Sequence, residues 1–194
     1  MDQKHTITLY SSQRKEVVDI IENDGIYFVK MHFIREKYEE VAHVFMTAYQ
    51  WYVQHAPQYV PKPSEAESAV WAFPDVRNLE CSNGYKLLKL EVPAEEVILF
   101  DMIEWGDILN FRYIGEKADR EAFNDKLRMQ GIKQPQDIIT TPFYPLLKRE
   151  LQASWSNLFR FCEDIRKGKS TPSNHVQAGL WQIKKDWIVS KEGD

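Results

Sequence analysis

The 194-residue chain sets 25 Lys and Arg against 29 Asp and Glu, a formal net charge of −4, with 43% hydrophobic and 28% charged residues. That length suits one domain with a full core. The composition is that of an ordinary globular fold, and the acidic balance argues against binding nucleic acid by bulk electrostatics, though not against a local basic face. No apolar run approaches the roughly 20 residues that span a bilayer.

Residues 1–5 are polar with no apolar signal core behind them, so a cytoplasmic protein without membrane contact is expected. Cys81 and Cys162 stand far apart with no CxxC partner, which indicates neither a zinc site nor a disulfide framework. Six Trp and nine Tyr are many for this length. Each serves either core packing with a hydrogen-bonded polar end or ring stacking on a ligand.

In chain order, Thr6–Tyr10 reads as a strand, and Ser11 and Ser12 offer an N-cap to a helix whose apolar face is Val17, Val18, Ile20 and Ile21. Asn23-Asp24-Gly25 ends that helix, and Ile26–Val29 reads as a second strand. A long helix follows from Ile34 to Ala56, with Tyr38, Val41, Phe45, Tyr49, Tyr52 and Val53 at three- and four-residue steps until Pro57. Prolines at 57, 61 and 63 make an extended connector. Ala69–Phe73 reads as a strand. Leu88, Leu90 and Val92 alternate with Lys89 and Glu91, the pattern of a strand buried on one face.

Val97–Phe100 is apolar on both faces and reads as a central strand, with Asp101 directly after it. A helical segment over 102–110, a polar helix from Asp119 to Gly131, an irregular stretch 134–145 and one amphipathic helix from Leu147 to Cys162 come next. Cys162 falls on the apolar stripe of that last helix, where a thiol behaves as a small core residue. A loop rich in turn formers, 167–174, leads to a final strand over Val176–Ile183, and Trp187-Ile188-Val189 closes the chain. Strands and helices mix without regular βαβ alternation. The expected fold class is therefore α+β: one domain over 1–194, a mixed or antiparallel sheet and flanking helices.

The five histidines show no HxxxH or HExxH spacing, and there is no GxGxxG, GxxxxGK[ST] or GxSxG, so no metal is expected. What remains is a set of polar residues at strand ends, where side chains converge on one edge of a sheet. Ser11 and Gln13 follow the first strand, Asp101 follows the central one and Gln177 opens the last. Plainer roles are open to each: Ser11 and Asp101 as helix caps, Gln177 as a bond to a loop.

Leu9-Tyr10-Ser11-Ser12-Gln13, Ala48-Tyr49-Gln50-Trp51, Val70-Trp71-Ala72-Phe73, Leu90-Glu91-Val92-Pro93 and Val176-Gln177-Ala178 together resemble, over nearly the whole chain, an uncharacterised bacterial domain-of-unknown-function family. More locally, the strand–helix–glycine opening Leu9–Gly25 and the strand Val176-Gln177-Ala178-Gly179 resemble ADP-ribosyltransferases of the DarT type. Their corresponding strand opens Gln-Ala-Glu, and the glutamate stabilises the sugar cation left as nicotinamide departs.

That resemblance implies an enzyme moving ADP-ribose from NAD to a macromolecule, RNA or DNA, in a bacterial toxin or anti-phage setting with an antitoxin or other protein partner. Gln177 would bind the ribose and Asp101 supply the charge. Tyr10, Ser11, Gln13, Tyr49, Trp51 and Trp71 would line the NAD site. Gly179 stands where the glutamate is expected, and 171–183 holds no Asp or Glu. The alternatives are a non-catalytic module binding a nucleotide or unpaired bases, and a protein whose Tyr/Trp-rich helix meets a partner chain.

Overall fold

The computed structural model describes residues 5–32, 35, 42–79, 83–167, 169 and 175–192. Cys81, residues 34 and 36–41 of the predicted long helix, and residues 168 and 170–174 of the loop before the last strand lie outside that set.

Strand β1 (Thr6–Arg14) pairs antiparallel with β4 (Tyr85–Pro93) over nine residues, Leu9 opposite Leu90 and Ser11 opposite Leu88. These four side chains are fully buried, because period-two alternation delivers all of them to one face. On the other face Thr8 Oγ1 donates to Glu91 Oε1 at 2.6 Å. β4 also pairs with β8 (Ile188–Glu192), with an irregularity at Lys89–Leu90. A second sheet runs β3 (Val70–Ala72), β6 (Val176–Leu180), β5 (Ile98–Asp101), again antiparallel. Gln177–Leu180 of β6 are buried in succession, as expected of a central strand covered on both faces.

The two sheets meet at one bridge. Tyr10 N–H donates to Phe73 O and Phe73 N–H to Tyr10 O, both at 2.8 Å, which aligns the strands as β8-β4-β1-β3-β6-β5. A ribbon of β2 (Ile26–Tyr27) and β7 (Ile183–Lys184) lies apart from them. Helix α1 (Lys15–Asp24) ends on Gly25, whose φ of 78° lets its N–H reach Ile21 O at 3.0 Å.

Helix α2 (Ala42–His55) lays Tyr49 and Tyr52, one turn apart, against the rings of Trp71, Phe100 and Trp105. On another flank its Trp51 meets Trp155 and Phe159. Helix α3 (Met102–Leu109) follows β5 without a loop. Then come α4 (Lys117–Met129), α5 (Gln136–Thr140), α6 (Pro145–Ser154) and α7 (Cys162–Arg166), which packs on β5. No described helix is long and apolar enough to cross a membrane. The fold is α+β, with antiparallel sheets and flanking helices.

Five expectations need correction. The first strand runs on to Arg14, so Ser11 and Gln13 lie inside it. Arg14, not Ser11, occupies the N-cap of α1, with no side-chain cap; pairing with β4 outcompetes the local serine signal. The single helix over 147–162 is α6, a 3-10 stretch over Trp155–Phe159 and then α7. The final strand bends at Trp181 between β6 and β7, where the indole N–H donates to Val60 O at 2.8 Å. The stretch 134–145 holds the short α5.

Candidate functional site

The sheet junction gathers four of the eight residues singled out from sequence. Ser11 is fully buried, and its hydroxyl donates to Trp71 O at 2.8 Å while accepting from Gln13 Nε2 at 2.8 Å. Trp71 Nε1 in turn donates to Tyr49 Oη at 3.2 Å. Ser11, Gln13, Trp71 and Tyr49 are thus one network running from β1 through β3 to α2. Networks of this kind fix side chains because each member's loss strands another. The rings around Trp71 pack edge-on or tilted: Tyr52 at 5.1 Å, Trp105 at 5.1 Å and Phe100 at 5.9 Å between centroids.

Tyr10 and Trp51 stand apart from this network. Tyr10 alternates with Ser11 along β1 and so faces the other side of the sheet. Trp51 sits between His55 and Phe159 on a different flank of α2, its ring nearly parallel to both.

On β6, Gln177 pairs with Phe100 of β5, and Gly179 lies between Trp71 of β3 and Ile98 of β5. Residues 177 and 179 share the face that α2 covers. Gln177 is 4% exposed, and no hydrogen bond to its carboxamide falls among the described residues. Beside it, Tyr52 is 1% exposed with an unpartnered hydroxyl. A Cβ added to Gly179 would collide with Tyr52 Oη and stand 3.1 Å from Tyr52 Cζ and 3.3 Å from Trp71 Cζ3. The absent side chain of residue 179 is therefore replaced in space by a phenol. Burial, with a smaller push from Cys162, holds the Tyr52 hydroxyl well above its ordinary pKa, so it is a neutral group.

Asp101 closes β5 and opens α3. It is buried, and its Oδ1 accepts from Ile103 N–H at 2.7 Å, the geometry of a helix N-cap. One turn on, Glu104 was not singled out from sequence. Its carboxyl pairs with Arg160 through Oε1, while Oε2 is buried without a partner. Burial raises its pKa to about 7; Arg160 opposes the shift, and Asp101 and Asp107 add to it. Nothing in the local pattern Met102-Ile103-Glu104-Trp105 distinguishes this glutamate, whose ion-pair partner Arg160 lies far along the chain. Cys162 is fully buried, its Sγ accepts from Leu99 N–H at 3.4 Å, and burial raises its thiol pKa, as suits a core cysteine. Among the described residues no group of three or more His, Cys, Asp or Glu is placed to hold a metal.

A family model, "Domain of unknown function (DUF3841)", matches residues 8–189. The chain belongs to that family. No curated protein and no solved structure matches it.

Proposed function

We propose that the chain is a nucleotide-binding module of ADP-ribosyltransferase-like kind. It binds NAD, or a nucleotide sharing its ribose, at the junction of β1, β3 and β6, and it does not transfer the ADP-ribose. The observation that carries this is the buried, unpartnered Tyr52 hydroxyl on the face of β6 that also carries the buried Gln177. Buried polar groups almost always have partners. A ribose diol, donor and acceptor at once, satisfies an amide and a phenol together.

Transfer is a different matter. Stabilising a sugar cation calls for fixed negative charge at the ribose. The group over Gly179 is a neutral phenol, and one oxygen of Asp101 is committed to the Ile103 N–H. A second reading rests on Glu104, a part-buried carboxyl one turn from Asp101 with a pKa of about 7, which would make the chain a transferase acting on RNA or DNA under an antitoxin's control.

Incubation of the folded protein with labelled NAD separates the two. Thermal stabilisation by NAD with no free nicotinamide and no labelled RNA, DNA or protein is expected. Nicotinamide release that Glu104→Gln abolishes would establish the transferase instead. Absence of both stabilisation and release would remove the nucleotide altogether.

A further inference from the structure

A cavity lies between α2 and α6, on a different flank of α2 from Tyr52. It has a volume of about 370 Å3 and shares no lining residue with the β6 junction. Its lining is polar and contains no carboxylate. Gln50 and Gln54 come from α2, Gln152 and Lys148 from α6, and His55 and Trp51 are also in its wall. Trp51 is 4% exposed, and its indole N–H has no acceptor among the described residues. His55 Nδ1 lies 2.8 Å from Trp51 O, so that nitrogen carries a proton and donates to the carbonyl. Lys148 spends one N–H on Ile139 O at 3.3 Å and keeps two others.

We propose that this groove binds a phosphate ester carrying several hydroxyls, a chemistry shared by sugar phosphates and mononucleotides. A lysine ammonium with no competing carboxylate suits a phosphoryl group. Three carboxamides, each both donor and acceptor, suit hydroxyls rather than an apolar surface. The stranded indole N–H is a donor that a ligand oxygen would satisfy. The cavity is of a size for one such molecule.

Titration calorimetry on the full chain with ribose 5-phosphate, AMP, ribose and inorganic phosphate tests this. Ribose 5-phosphate is expected to bind, with ribose and phosphate each about tenfold weaker or worse, the worth of a charged hydrogen bond. Lys148→Ala should lose about tenfold. Trp51→Phe, which keeps the stacked ring and removes the N–H, should lose several-fold, and Met129→Ala, on the exposed end of α4, should change nothing. AMP binding tighter than ribose 5-phosphate would assign the groove to mononucleotides, and equal binding would assign it to sugar phosphates. If Trp51→Phe fails to fold, Gln152→Ala at the same groove takes its place. Binding unaffected by Lys148→Ala, phosphate binding as tightly as its sugar ester, or no heat from any of the four would overturn the proposal.

Discussion

Gly179 is held to glycine by its neighbour, not by its backbone. Because a Cβ would meet the Tyr52 hydroxyl, Gly179→Ala is expected to destabilise the fold by about 1–3 kcal/mol, the cost of overpacking. Tyr52→Phe removes an unpartnered hydroxyl and should be neutral or stabilising on its own. The double variant should recover much of the loss, and denaturant unfolding of all three gives the coupling.

Asp101 makes a sharper prediction because a cap and a catalytic acid respond differently to asparagine. Asp101→Ala should cost about 1 kcal/mol, whereas Asp101→Asn, also a good cap, should be nearly silent in thermal unfolding. A large loss in Asp101→Asn would mean that the charge does more than cap α3.

Glu104 predicts a pH dependence. Its folded pKa of about 7 lies above the ordinary 4.5, so between these values the folded state holds a proton that the unfolded state has released. Stability from this group is therefore present below pH 4.5 and lost as pH rises through about 7, by on the order of 3 kcal/mol at most. Glu104→Gln should flatten that part of the stability curve, measured by urea unfolding at stepped pH.

At the scale of elements, the contact between the half-sheets is narrow: one backbone bridge at Tyr10–Phe73 and the Ser11 bond to Trp71 O. Ser11→Ala strands a buried carbonyl and the Gln13 amide and should cost about 1–3 kcal/mol. Faster amide exchange at Tyr10 and Phe73, with β4 protected as before, would place the loss at this seam.

Elements governed by their own periodicity were legible in the sequence. The Leu88–Val92 alternation, the apolar run before Asp101 and the Tyr49–Val53 spacing all became the strands and helix they suggest. The segment 145–166 misleads because three- and four-residue apolar spacing fits an α-helix broken by a 3-10 turn as well as a continuous one. The site was half legible. Ser11, Gln13, Tyr49 and Trp71 do converge, but Trp51 turns to another flank. Tyr52 over Gly179 and the burial of Glu104 arise from contacts between distant segments, which no local pattern encodes.

Across the whole molecule, β3 is the shared member. It receives Ser11 from β1 on one side and lies against Gly179 of β6 on the other, so β1 and β6 flank a single three-residue strand. A ligand held there would tie both half-sheets together, and its binding should appear as a global rise in stability, not as a local one. The most direct measurement is calorimetric titration of NAD into the wild-type chain and into Gln177→Leu, with free nicotinamide assayed in the same cell. Saturable binding without nicotinamide, weakened about tenfold or more in Gln177→Leu, is the result this account predicts. Equal binding by both proteins, or nicotinamide accumulating in the wild-type cell, would contradict it.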